Sequence, residues 1–136
     1  MEKSQFQFSN PRLKSIQFIT HDEFVKQGKL NMSIKIATEQ KRAENADGSL
    51  ANSALVAVTV SVGEKDNSTP FYIEAVEEAD FKWNERELEE QQIQVLLSQN
   101  AVALLISYLR PIISSLTAAS PYPVYNLPYI NLTQEK

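Results

Sequence analysis

The sequence predicts an α+β domain: a four-stranded antiparallel sheet followed by one or more long helices packed on one face of it. Three observations carry this. Apolar and polar residues alternate through the first half of the chain, the apolar spacing changes to three and four after Trp83, and the two patterns do not interleave. Strands first and helices afterwards is the order in which a helical layer covers one side of an antiparallel sheet. The expected layout is a single domain, 1–136, with sheet over roughly 13–83, helix over 85–119 and a Pro/Tyr-rich strap and tail over 120–136.

An early strand runs from about Ser15 to Thr20 and carries Ile16 and Phe18. The clearest alternation follows, with Leu30, Met32, Ile34 and Ile36 on one side and Asn31, Ser33 and Lys35 on the other, so that one face is buried. Residues 54–62 set Val56, Val58, Val60 and Val62 against the smaller Ala57, Thr59 and Ser61, and their β-branched content suits a central strand. A last strand spans Phe71 to Val76 and continues towards Phe81. Asn45, Asp47 and Gly48 in one connection, and Gly63, Asp66, Asn67 and Pro70 in the next, supply turn residues, which predicts hairpins.

Beyond Trp83, Leu88, Ile93, Leu96, Leu97, Ala101, Leu104, Leu105, Tyr108, Ile112 and Leu116 fall largely at helical spacings. Asn100 can cap a second segment by accepting from amides two or three residues on, which predicts a break near Ser98–Asn100. Pro111 removes one helical hydrogen bond and crowds the carbonyl four residues back, so a kink or a restarted helix is expected there. Glu85, Glu87, Glu89 and Glu90 suit the positive end of the helix dipole and keep that end wet.

The helix is more apolar than one sheet requires. At roughly 100° per residue, Val102, Leu104, Leu105, Ile106, Tyr108, Leu109, Ile112, Ile113 and Leu116 span roughly 200° of its circumference. The segment after Ser120 is short and interrupted by Pro121, Pro123 and Pro128. The excess therefore points to self-association as a dimer or tetramer, because large apolar patches seldom stay open on monomers.

Composition removes several function classes. Hydrophobic residues at 43% and charged residues at 22% describe a globular chain. No apolar run approaches the ~20 residues of a membrane-spanning helix, and none follows Lys3 to make a secretory signal, so a cytoplasmic protein without a membrane partner is expected. The absence of cysteine excludes disulfides, thiolate ligands and thiol nucleophiles. A net charge of −4 without a basic stripe argues against nucleic acid. Three glycines are too few for the usual phosphate-cradling loops. The one histidine, His21, lies beside Asp22 and Glu23. No second histidine or cysteine completes a common transition-metal set, so the trio reads as a solvated turn before Phe24. No catalytic residue, metal or cofactor is expected.

The stretch Ser120 to Leu132, SPYPVYNLPYINL, cannot be a helix. Its prolines fix extended backbone and remove three amide donors, while Tyr122, Tyr125, Leu127, Tyr129 and Ile130 make a dense aromatic and apolar surface. Tyrosine offers a large contact area with few rotors, and its hydroxyl can meet peptide groups. Such a strap is either a wall for other polypeptides or a packed tail covering helix and sheet.

This region resembles the SecB family of export chaperones. Tyr108 and Arg110 match a Tyr-x-Arg pair on the family's helix. Tyr122, Pro123, Asn126, Leu127, Ile130 and Asn131 then fit its aromatic-Pro-x-x-Asn-Leu-x-Pro-Val-Asn segment. Upstream, the strand pair around a Gly-containing turn and the segment Phe71 to Glu74, with Phe81 ten residues after Phe71, are also similar. The resemblance implies a dimer of dimers and a non-enzymatic holdase that keeps unfolded polypeptides in a long aromatic and aliphatic groove. Tyr122, Tyr125, Leu127 and Tyr129 would line the groove, acting through apolar burial at roughly 25 cal/mol per Å² and strand-like main-chain bonding. Asn126 and Asn131 would satisfy strap backbone groups, Arg110 would form a structural salt bridge or helix cap, and Glu74 would contact the SecA motor.

The chain departs from the family pattern in four ways. It stops at Lys136 without the second long helix and the Cys- and His-bearing tail that meets the motor. Lys14, Ser15 and Ile19 stand where acidic side chains would be expected, the strap's proline falls at 128, one residue early, and Ser120 replaces a glycine. The expected motor contact is thereby reduced to Glu74. A dedicated adaptor recognising one partner, such as an antitoxin or regulator, is the alternative function on the same fold.

Overall fold

The computed structural model describes residues 6–84 and 88–132. Five strands precede the helical part: β1 Phe6–Phe8, β2 Arg12–Thr20, β3 Ile34–Glu44, β4 Leu50–Gly63 and β5 Phe71–Trp83. Strands β3, β4 and β5 form two successive hairpins. β2 lies beside β5, so the crossover 21–33 carries the chain from one sheet edge to the other. Three hairpin-linked strands plus one reached by a long connection make a Greek key. All pairings are antiparallel.

The sheet is four strands wide, as expected, but it has five strands. β1 extends the β2 edge, pairing Phe6 with Trp83 and Phe8 with Phe81. A three-residue strand gives too short an alternation to read locally, and stacking of Phe6 on Phe81, with centroids 5.4 Å apart, holds it in place. The strand expected to start at Leu30 begins instead at Ile34. The ladder opposite ends at Gly63, whose amide donates to Ser33 O at 2.8 Å, leaving Leu30 to Met32 without a partner strand. Gly63 itself has a φ of 84°, and a side chain there would run into the Phe71 carbonyl oxygen.

Cross-strand partners share a face, so Val56, Val58, Val60 and Val62 stand with Ala79, Glu77, Ala75 and Ile73 on the side that carries the helix. The helix is one rod from Glu90 to Ala118, 29 residues long. It comprises α1 Glu90–Val95, a π turn over Leu96–Asn100 and α2 Ala101–Ala118. The expected break at Ser98–Asn100 does not occur. Asn100 keeps helical angles, φ −69° and ψ −43°, and makes no side-chain cap. The irregularity is absorbed by the wider π turn, which holds Leu97 and Ala101 against the sheet. Pro111 lies inside α2 and does not restart the helix.

Ile93, Leu97, Ala101, Leu105, Leu109, Ile113 and Thr117 form one buried ridge at intervals of four, supplemented by Val102 and Ile106. Arg42 of β3 lies over the Trp83 ring at 5.0 Å and donates to Glu90 at 2.9 Å, tying the start of the helix to the sheet. Hydrogen bonds from Gln94 and Arg42 hold the Glu90 carboxyl below its ordinary value. Glu89 closes a capping box with Gln92, while Glu85 and Glu87 lie outside the described residues. By length and composition this rod could cross a membrane, contrary to the run-length expectation from sequence. In this fold it forms the layer on the sheet.

Candidate functional site

The crossover 21–33, edge strand β3 and strap 120–132 meet beside the helix. The strap is fastened by side chains at three places. Ser120 Oγ donates to Thr117 O at 2.7 Å and accepts the Tyr122 amide at 3.1 Å. Thr117, fully buried, accepts the Tyr125 amide at 2.8 Å through Oγ1 and donates to Ile113 O at 3.0 Å. Arg110 donates from Nε to Leu127 O at 3.3 Å and from Nη2 to Pro128 O at 3.1 Å. Among the described residues Arg110 is thus a clamp on strap carbonyls, where a structural salt bridge or helix cap was expected from sequence. The irregular strap has carbonyls free to accept, as a helix or sheet segment would not.

Two adjoining hollows result. The first, ≈ 490 Å³, is walled by Phe24, Leu30 and Met32 of the crossover, Phe71 of β5, and Tyr122 and Tyr125 of the strap. Tyr122 meets Phe24 edge-on at 6.2 Å, and Tyr125 meets Phe71 in the same way at 6.1 Å. Burial pushes the Tyr125 phenol above its ordinary value. Lys26 is the charged residue on this wall.

The second hollow, ≈ 600 Å³, is lined by Ile34, Ile36 and Thr38 of β3, Ser98 and Val102 of the helix, and Ile130, Asn131 and Leu132 of the strap. β3 pairs with β4 alone, so its other edge carries no strand among the described residues. The Gly63 to Ser33 hydrogen bond sets the phase of the β3–β4 ladder. It follows that Ile34, Ile36 and Thr38, whose side chains line the hollow, also turn their N–H and C=O groups to the open edge.

The expected site residues separate on the structure. Tyr122 and Tyr125 face the first hollow. Leu127 is 4% exposed and belongs to the core, so it supports the groove from behind instead of lining it. Tyr129 is 88% exposed, beside Gln99, Asn100 and Ala103 of the helix. Pro123 lines the first hollow, Asn131 the second, and Asn126 is exposed. Tyr108 is 41% exposed on the outer side of α2 and does not reach the groove.

Glu74 is half-buried on the opposite sheet face, between Gln17 and Ser61. That face also carries Glu78 and Asp80, which Arg12 bridges at 3.1 and 3.4 Å, and Lys14 approaches Glu78 at 3.9 Å. His21 was expected in a solvated turn. It adjoins the turn, but it is buried and its Nδ1 donates to Thr69 O at 2.9 Å.

The sequence reading missed Phe24 and Thr117 and assigned Leu30 and Met32 to a strand. Phe24 carries no periodic signal, although an aromatic residue within a polar connection is itself a mark of contact. A third omission is Glu77, 2% exposed among the valines of the helix-facing side, with Oε1 lacking a hydrogen-bond partner among the described residues. Burial raises its carboxyl above the ordinary value of 4.5.

A Greek-key sheet carrying one long helix, with an extended strap laid back along it, defines a SecB-like α+β protein. The chain belongs to the SecB family, whose model, described as preprotein translocase subunit SecB, matches residues 5–134. An uncharacterized protein of Methanocaldococcus jannaschii is 28% identical over 132 residues, which cover 96% of this chain and 81% of that protein. The SecB-like chaperone of Mycobacterium tuberculosis, solved with a ChAD peptide from an antitoxin, aligns with a TM-score of 0.65 and 15% identity over 93% of this chain and 91% of its own. A protein of unknown function from Streptococcus agalactiae aligns with a TM-score of 0.50 and 10% identity over 91% and 97%. These two structural likenesses bear on fold alone. SecB proteins are chaperones, and by family membership this chain is not an enzyme.

Proposed function

We propose that this chain is a holdase chaperone of a single domain that binds non-native polypeptides along the two hollows. The observation that carries the reading is the coincidence, on Ile34, Ile36 and Thr38, of apolar groove lining with outward main-chain donors and acceptors. An extended client can add as a strand while its alternate side chains enter the hollows, which binds peptide bonds irrespective of sequence. Tyr122 and Tyr125 supply aromatic contacts at one end, and Tyr129 stands free at the other.

Self-association as a dimer or tetramer is part of this proposal. Only 39% of the most apolar stretch of the helix is buried, and Tyr108 and Val95 remain exposed on it. A cytoplasmic location and a role in protein export follow the family, with Glu74 on the uncovered sheet face as the point for a SecA motor. Arg12 and Lys14, ion-paired with Glu78 and Asp80 further along β5, weaken an acidic docking surface.

The test is capture of unfolded clients. Wild type is expected to suppress aggregation of several unrelated unfolded proteins at near-stoichiometric ratios, with light scattering reporting more than one copy. A Tyr122→Ala, Tyr125→Ala, Tyr129→Ala variant of equal mass and melting behaviour is expected to lose most of that activity. Unchanged capture by the variant would remove these tyrosines from the site, and no protection of any client would end the holdase reading. A dedicated adaptor is the second reading. It is favoured by the M. tuberculosis chaperone's antitoxin peptide, and a pull-down dominated by one partner would support it.

A further inference from the structure

Among the described residues, those that line the two hollows carry a single charge. The second hollow is walled by aliphatic side chains and the neutral polar groups of Thr38, Ser98 and Asn131. The first is walled by apolar and aromatic side chains and by Lys26. Lys26 is exposed and makes no ion pair among the described residues. The acids nearest to it along the chain, Asp22 and Glu23, do not line the hollow, and Glu23 accepts from Asn67 of the β4–β5 turn at 3.4 Å. The strap, 120–132, contains no charged residue.

A lone ammonium on an apolar wall is a selective element. A client carboxylate beside it is attracted, and a client ammonium or guanidinium is repelled. When an apolar side chain fills the hollow it displaces water near the ions, and the attraction exceeds that between two fully hydrated charges. The net charge of the chain, −4, acts in the opposite sense and favours cationic clients. Salt screens that field over ~8 Å under physiological conditions, so the contact with Lys26 decides at the aromatic end of the groove.

We propose that Lys26 makes the groove selective for acidic clients: extended segments that place a large apolar side chain in the first hollow and an Asp or Glu carboxylate beside it. The selection rests on the groove reading above. Same-side residues of an extended segment are two apart, so the carboxylate belongs two places from the apolar anchor, away from the residues that enter the second hollow. One partly exposed ion pair corresponds to about 2- to 5-fold in affinity. Lys26 does not line the second hollow, so an acid at that end gains nothing from it.

The test uses fluorescent peptides, blocked at both ends, that carry Phe and then Ile at the next two alternate places among Ser and Thr. They differ only two places before Phe, where Glu, Gln or Lys stands, and a fourth has its Glu at the Ile end instead. Each is made in both sequence orders, so that either strand direction is served. Wild type is expected to bind the Glu peptide about 2- to 5-fold tighter than the Gln peptide and the Lys peptide weaker by a similar factor, with no gain for the fourth. Lys26→Glu should reverse that order. Lys29→Glu changes the net charge equally from an exposed position off the hollow, and should leave the order intact. Equal binding of the first three peptides, an order that survives Lys26→Glu, or reversal by both variants would overturn the selection while the groove reading stands. Absence of binding to every peptide would remove the groove reading and the selection with it.

Discussion

Thr117→Val isolates the fastening of the strap, because valine keeps the volume and removes only the hydroxyl. Thr117 is fully buried, and its Oγ1 accepts the Tyr125 amide at 2.8 Å. In the variant that part-buried amide loses its acceptor, which costs up to about 1–3 kcal/mol. Ile113 O loses the donation from Oγ1 at 3.0 Å but keeps its place in the α2 ladder. The added methyl returns about 0.8 kcal/mol of apolar burial. The net is a loss of up to about 2 kcal/mol, read as a lower urea midpoint at unchanged slope. Locally it corresponds to up to about 30-fold faster hydrogen exchange at the Tyr125 amide. Thr117→Ser is the control. It deletes the methyl and keeps the acceptor, so stability falls while Tyr125 exchange stays tied to global unfolding. A change within about 0.3 kcal/mol for Thr117→Val, with Tyr125 exchange unaltered, would refute the reasoning and show that packing alone holds the strap.

Glu77 predicts a pH dependence. Its carboxyl lies above the ordinary value of 4.5 because of burial, so the folded chain keeps a proton that the unfolded chain has already released. The folded state binds more protons in that window, and stability falls as pH rises from the ordinary value through the raised native one. Glu77→Gln is expected to flatten this part of the profile in melts taken across the acidic to neutral range, and an unchanged slope would contradict the assignment. Gly63→Ala places a side chain at φ 84° and against the Phe71 carbonyl. It should destabilise by more than about 1 kcal/mol and disturb the end of the β3–β4 ladder, seen as faster exchange of the Lys35 amide, which faces Ser61. A neutral effect would show that the turn can re-form with another geometry.

How much was legible follows from how far each signal reaches along the chain. Val56 to Val62 announced β4 because side chains alternate across a strand whatever its partner, and the spacing after Trp83 announced the helix for an equally local reason. The over-wide apolar stripe was also readable, and the exposed Tyr108 belongs to its remainder. The strap's failure to be helical needed nothing beyond its prolines.

What the strap touches was not readable. Arg110 clamps carbonyls 17 and 18 residues away, Thr117 holds an amide eight residues on, and Tyr122 reaches a carbonyl 101 residues back. Leu127 and Tyr129 look alike in a list of apolar groove residues, yet one lies in the core and the other in solvent, although an unbroken strand would set residues two apart on the same side. Phe24 and Met32 join the site only because the crossover must pass from the β2 edge of the sheet to the β3 edge, and that path is set by strand order. The sequence by itself determined the four longer strands, the presence of the helix with its apolar excess and the non-helical strap, all of which depend on residues within a turn or two of one another. Tertiary structure alone decided the groove, since its walls are elements from three parts of the chain brought together by pairing and burial, whose free energies depend on partners that no local pattern names.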